Sequence, residues 1–176
     1  MIIAFSNEKN LKDLKKVDLV VLAVEDSSPI FLSESYSNRV ETIKKKSLEI
    51  GCQIIFPFYT LCERGKCICG IRIKQGRIVD LFGECFTKKY SKFRCCNKTI
   101  TILFYYDLYG KRGKELACGS SLTIGIDNEP FDNLKYLNEK FFNKLILVGL
   151  NNKVFCENIK KIKNNTKMLS NIMYKI

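Results

Sequence analysis

The chain has 176 residues, 46% of them apolar, which suits one domain able to bury about 70% of its unfolded surface. Its net charge is +12 and it contains no histidine, which excludes Ser-His-Asp and Cys-His catalysis in their usual forms and every histidine-dependent metal site. No apolar run approaches the roughly 20 residues of a membrane helix, and Met1 to Ser6 lacks the basic start and longer apolar stretch of a signal peptide. A cytoplasmic protein with no membrane partner is the expectation.

The elements read as follows in chain order. Residues 2–5 predict a short apolar strand, and Ser6 or Asn7 caps a brief helix through Lys15. Residues 18–24 are a near-continuous aliphatic run, as in a strand covered on both faces. Ser35 precedes a helix to about Ile50, with Val40, Ile43, Ser47, Leu48 and Ile50 on its apolar stripe and Gly51 ending it. Residues 53–59 predict a strand. Residues 69–73 and 77–82 flank Lys74-Gln75-Gly76 as a hairpin.

Residues 85–97 are polar and basic and read as a loop. Residues 99–105 predict a strand, 108–117 a helix and 121–126 another strand. Pro130 opens a helix to about Asn143, and 144–150 form a strand. From Asn151 the chain is rich in lysine and asparagine. Helical apolar spacing at Ile159, Ile162, Met168, Leu169 and Ile172 predicts a basic C-terminal helical tail. The reading is therefore an α/β domain over residues 1–150, a mixed β-sheet with packed helices, followed by a tail over 151–176.

Nine cysteines, an odd count without a regular framework, predict reduced thiols, most of them buried as small apolar residues. Cys62, Cys67, Cys69, Cys85, Cys95 and Cys96 fall within 35 residues, but only Cys62-x₄-Cys67 reaches the Cys-x₂₋₄-Cys spacing of structural zinc, at its upper limit and without a second such pair. No metal and no cofactor is expected. Lysine supplies 24 of the 30 cationic residues, scattered over the whole length. A specific nucleic-acid surface more often clusters them, with arginine prominent. A basic tail (Lys160, Lys161, Lys163, Lys167, Lys175) leaves a basic nucleic-acid-binding module as one alternative.

Three segments in order resemble the carbon–nitrogen hydrolase (nitrilase/amidase) superfamily. Val17-Asp18-Leu19-Val20-Val21-Leu22-Ala23-Val24-Glu25 is similar to that family's strand ending in a catalytic glutamate. Gly76-Arg77-Ile78-Val79-Asp80-Leu81, followed by Phe86-Thr87-Lys88, is similar to its hairpin and the element carrying the oxyanion lysine. Ile100-Thr101-Ile102-Leu103-Phe104-Tyr105-Tyr106-Asp107-Leu108, with Gly110, Arg112, Glu115, Leu116 and Gly119, is similar to the strand and elbow carrying Cys-Tyr-Asp. Leu145 to Asn151 matches weakly the family's strand ending in Asn. The resemblance implies a nitrilase-like α-β-β-α sandwich, truncated in its later elements.

It also implies a site of Glu25 as general base, Lys88 as oxyanion stabiliser and Tyr105 at the position of the nucleophile. A thiolate attacks the amide or nitrile carbon, a carboxylate takes its proton, and an ammonium with a backbone N–H holds the oxyanion. Tyr105 cannot do the work of the thiol. Its pKa is about 10, its nucleophilicity toward an acyl carbon is poor, and its ring fills the pocket. Glu25 also lies one residue later than the family spacing. The expectation is a catalytically impaired pseudoenzyme that binds a small amide or carboxylate ligand or a partner. The alternative is an active amidohydrolase with a relocated cysteine nucleophile, for which Cys95, Cys96 and Cys118 are the candidates. A truncated sandwich would leave an inner sheet face partly uncovered, which predicts self-association as a homodimer or a C-terminal helix folded back over that face.

Overall fold

The computed structural model describes residues 1–24, 29–63, 65–83, 86, 91–127, 134–141, 145–149, 154–155, 160–162 and 172–176. The strands among them are β1 (Ile2–Ser6), β2 (Leu19–Leu22), β3 (Gln53–Cys62), β4 (Gly65–Lys74), β5 (Arg77–Gly83), β6 (Ser91–Cys95), β7 (Lys98–Phe104), β8 (Leu122–Ile126), β9 (Leu145–Val148), β10 (Val154–Phe155), β11 (Lys160–Ile162) and β12 (Ile172–Lys175). The helices are α1 (Glu34–Ile50), α2 (Tyr105–Tyr109), α3 (Gly113–Ala117) and α4 (Leu134–Lys140), with a 3-10 turn at Glu8–Asp13.

The strands form two mixed sheets. The first has the order β11-β12-β1-β2-β3-β4-β5 and the second β10-β9-β8-β7-β6. Each is built on three parallel strands, β1-β2-β3 and β7-β8-β9, with antiparallel strands on both flanks. Strict alternation sorts the side chains. Ile3, Phe5, Leu19, Val21, Ile55 and Phe82 of the first sheet join Ile100, Ile102, Phe104, Ile124 and Val148 of the second in one buried core between the sheets. The opposite face of the first sheet, with Val20, Leu22, Ile54, Phe56 and Ile71, packs against α1 through Tyr36, Val40 and Ile43. The opposite face of the second, with Leu103, Leu145 and Leu147, packs against Leu108, Leu137 and Phe141. The layers are therefore α-β-β-α.

Local chemistry sets the boundaries. The Asn7 side chain accepts from Asn10 N at 3.1 Å and caps the first turn. Ser33 rather than Ser35 caps α1, accepting from Tyr36 N at 3.0 Å, and Gly51 ends it in the left-handed region at φ 72°. Gln75 and Gly76, at φ 49° and 69°, make the two-residue turn between β4 and β5. Arg72 ties the sheet rims together. Its guanidinium donates to Asp80 Oδ2 at 2.7 Å and Gln53 Oε1 at 2.8 Å, and lies 4.4 Å from the centre of the Phe93 ring.

Several expectations need correction. Part of the loop expected over 85–97 is strand β6, because Phe93 and Cys95 alternate with exposed Lys92 and Arg94 and point into the inter-sheet core. The helix expected over 108–117 is broken into α2 and α3. The helical tail expected over 151–176 is strand at every described residue but Ile176. β10 extends the second sheet, and β12 pairs with β1 through Ile2↔Lys175 and Phe5↔Ile172. The uncovered inner face is not found among the described residues, since each sheet covers the other. Leu48, expected on the buried stripe of α1, is 62% exposed.

The α2–α3 break has a steric cause that also gives a prediction. A Cβ on Gly113 would lie 2.0 Å from the backbone oxygen of Asp107 and 3.2 Å from Phe141 Cζ. Only glycine lets α3 fold this closely onto α2. Gly113→Ala is therefore expected to lower stability by about 1–3 kcal/mol, seen as an earlier urea midpoint, whereas Lys111→Ala in the same turn changes little.

Candidate functional site

Strand β7 ends at Phe104 and α2 begins at the next residue, Tyr105. This is the strand-to-helix elbow expected from the sequence. The three parallel strands of the second sheet finish together, with Phe104 beside Ile126 and Ile126 beside Val148. The carboxyl ends of parallel strands are where α/β sheets place their ligands, because the chain turns away there and leaves backbone groups and loop side chains facing a common space.

Two neighbours of the elbow are well defined. Asp127 follows Ile126, the register partner of Phe104, and so stands just past the strand ends where α2 begins. It is 1% exposed, and its backbone N–H donates to Val148 O at 3.0 Å. A carboxylate buried at a strand end can accept a hydrogen bond or carry a proton for a ligand. The sequence reading passed over it, although the signal was there: an apolar strand closed by an acid, the pattern that singled out Glu25. The second neighbour is Phe82, whose ring centre is 5.7 Å from that of Phe104. The end of β5 thus meets the end of β7 across the inter-sheet core, with Gly70 leaving room for both rings.

Glu25 and Lys88 lie outside the described residues, as does the side chain of Tyr105, whose backbone opens α2. What the structure does place are the residues that lead to them. Val24, fully buried, shares the inter-sheet core with Phe82 and Phe104. Phe86 packs edge-on against Phe31 on the other face of the first sheet.

No protein-family model and no curated protein sequence matches the chain. Solved structures do. A CN-hydrolase superfamily protein from Xanthomonas campestris, with an arsenic adduct in its active site, aligns with a TM-score of 0.61 at 12% identity, over 85% of this chain and 76% of that one. An amidase from Nesterenkonia sp. aligns with a TM-score of 0.59 at 11% identity, over 85% and 76%. A mutant of an amidase from Nesterenkonia sp. AN1, with acrylamide added at the active-site cysteine, gives 0.63 at 8% identity, over 100% and 93%. The fold is the carbon–nitrogen hydrolase fold. Identities this low carry the architecture and leave the activity of this chain to its own residues.

Within the carbon–nitrogen hydrolase fold, the cysteines of this chain sit away from the elbow. Cys95 pairs with Lys98 at the opposite end of β7, roughly 23 Å from Tyr105 at the rise of an extended strand. Cys96 follows it in the β6–β7 turn. Cys118 precedes β8, at the end opposite Asp127. Cys52 and Cys69 are buried, and Cys85 and Cys156 lie outside the described residues. Cys62 and Cys67, expected as free thiols, are bonded to each other. Strands β3 and β4 pair down to Cys62↔Gly65, which brings the two Cα atoms to 6.5 Å, within disulfide reach. With that bond, the cysteines no longer argue for a reducing compartment. Among the described residues no cluster of three cysteine or acidic side chains is arranged to hold a metal, and no helix is long and apolar enough to cross a membrane.

Burial decides what the core thiols can do. Desolvation pushes Cys52 up to about 11 and Cys95 up to about 12, and Tyr36 likewise rises to about 12. Thiols so poised stay protonated and inert near neutrality. They also set an alkaline limit. An unfolded thiol ionises near pH 8.5–9, while the buried one keeps its proton up to the raised value. Above about pH 9 the folded state therefore holds more protons than the unfolded one, and stability falls as pH rises, by about 1.4 kcal/mol per pH unit for each thiol. The urea midpoint should be level up to about pH 8.5 and decline above it. Cys95→Ala should flatten that decline whatever it does to stability at pH 7.

Proposed function

We infer that the chain is a carbon–nitrogen hydrolase-like protein without the family's cysteine chemistry, retaining the pocket region of the fold as a site for a small amide or carboxylate ligand, or for a partner. The observation that carries this reading is the elbow. Tyr105 is the first residue of α2, directly after β7, where the resemblance puts the nucleophile. The buried Asp127 beside it supports a polar site at this end of the sheet. In this reading Glu25 and Lys88 are the polar groups that hold the ligand, the lysine as a fixed positive charge and the glutamate as a hydrogen-bond acceptor.

The alternative of an active amidohydrolase with a relocated nucleophile finds no support in the positions of Cys95, Cys96 and Cys118, which lie at the amino ends of β7 and β8. A nucleic-acid-binding tail draws no specific support either, since Lys160, Lys161 and Lys175 stand on strands of the first sheet.

Thermal unfolding in the presence of acetamide and acetate tests the reading. The expected result is a rise in Tm with ligand concentration that is lost in Glu25→Gln and in Lys88→Met. Sustained ammonia release from acetamide, abolished by Glu25→Gln, would overturn it.

A further inference from the structure

We propose that a cavity on the outer face of the second sheet is a binding site for a small organic anion: one carboxylate or phosphate head on a short apolar body. The cavity measures about 560 Å³ and lies between the end of α3, the start of β8 and the end of α4. It is distinct from the elbow. β7 and β8 run parallel, so Ser121 and Tyr105 mark opposite ends of the sheet, and the cavity opens at the Ser121 end.

Its chemistry is one-signed. Lys114 and Lys140 line it, and no carboxylate does among the described residues. Lys140 is the informative group. Its ammonium donates to Leu108 O at 2.8 Å and Gly110 O at 2.6 Å. Those two carbonyls hold it in place and accept two of its three protons. No acid pairs with it among the described residues, where every ion pair involves another cation. Burial also weakens its hold on its own proton. A half-buried ammonium, fixed by neutral partners and lacking a counter-charge, has already lost part of its hydration, so an incoming anion gains more from it than from a surface lysine.

The floor and wall complete the selectivity. Thr123 lines the cavity while only 3% exposed, and its hydroxyl, unlike its ladder-paired backbone, makes no hydrogen bond among the described residues. Its hydroxyl can donate to the anion. Of the neighbouring hydroxyls, Ser120 pairs with Thr101 at 2.5 Å, and Ser121 accepts from Thr99 N at 3.3 Å, which leaves its own proton as a further donor. Phe141, 3% exposed, and Ala117 supply an apolar wall. Hence the site fits an anionic head against Lys140, Lys114 and Thr123, with a short apolar body against Phe141.

Cys118 lines the same cavity and is exposed, whereas Cys96 is exposed but does not line it. The two thiols give an internal comparison on the intact protein. The alkylation rate of each is read by mass spectrometry with iodoacetamide at constant ionic strength, with benzoate, inorganic phosphate or the neutral benzyl alcohol present. For a millimolar site, benzoate at about 10 mM should slow Cys118 about tenfold. Cys96 should be unchanged, phosphate should protect less than benzoate, and benzyl alcohol should not protect. Lys114→Gln, on an exposed helix position, should weaken the protection, and Thr123→Val should weaken it further. Both can be made without touching the Lys140 contacts that hold α2. Lack of protection by both anions, equal slowing of Cys96, or equal protection by benzyl alcohol would overturn the proposal.

Discussion

Ammonia release from acetamide or acetonitrile should run about 10⁶-fold below the rate of a cysteine-bearing enzyme of this fold, the loss measured when a catalytic nucleophile is removed. That factor corresponds to about 8 kcal/mol of transition-state stabilisation. The size follows from what the thiolate supplies. It forms the covalent acyl intermediate that splits one hard hydrolysis into two easier steps. In the proposed reading that place is taken by Tyr105, which opens α2 at the elbow, and a phenol is a poor nucleophile toward an acyl carbon beside a thiolate. Thiol labelling gives an independent check. In the folded protein the exposed Cys118 and Cys96 should react with iodoacetamide, Cys96 the more slowly because desolvation and the nearby Asp18 raise its thiol, while Cys52, Cys69 and Cys95 should remain unmodified until the chain unfolds. A burst of stoichiometric labelling at Cys95 would contradict both expectations, because its thiol is held up to about 12 by burial.

The reason so much of this fold could be read from the sequence is visible in its central strands. β2 and β9 are buried on both faces, so each reads as an unbroken apolar run, and the turn residues Gly51 and Gly76 mark ends that only a positive φ can make. What escaped the sequence depends on contacts across the sandwich. Ser91–Cys95 is half charged, and only the inter-sheet core reveals that Phe93 and Cys95 are its buried face. The final strand, Ile172–Lys175, has a spacing compatible with a helix. Pairing with β1, a partner 170 residues away, decides for strand. The α2–α3 break is set by the approach of Gly113 to the Asp107 carbonyl, which periodicity cannot foresee. For the site, the elbow was legible because it follows from a strand-to-helix switch at Phe104. Asp127 closes an apolar strand as Glu25 does, but the family resemblance points only to Glu25, and burial beside the elbow is what gives Asp127 its weight.

Replacing Phe104 by alanine should cost about 3–5 kcal/mol, the range for a buried phenylalanine, and that is a large share of the roughly 5–15 kcal/mol that holds a domain together. Phe104 is 2% exposed and sits where three elements meet: its own strand β7, Phe82 of β5, and the backbone of β4 at Gly70. The sheets are not cross-linked by a described covalent bond, since the disulfide lies within the β3–β4 hairpin. Their adhesion among the described residues is mainly packing, with Arg72 over the Phe93 ring and the Cys95 thiol on Asp18 O at the rim, and a cavity at this point has rigid sheets on both sides that cannot close over it. A fall in Tm of about 6–20 °C is expected. Leu61→Ala, at a position 71% exposed, should stay within about 0.5 kcal/mol of the parent. The complementary change separates packing from mere hydrophobicity. A Cβ on Gly70 would meet Phe82 Cε2 at 3.2 Å and Phe104 Cζ at 3.5 Å, so Gly70→Ala adds apolar volume yet should destabilise. If the rings are what it meets, Gly70→Ala combined with Phe104→Leu should be less damaging than the sum of the two, by about 0.5–3 kcal/mol. Strict additivity in urea titrations would mean that Gly70 answers to its own backbone and that the Phe82–Phe104 contact does not join the sheets.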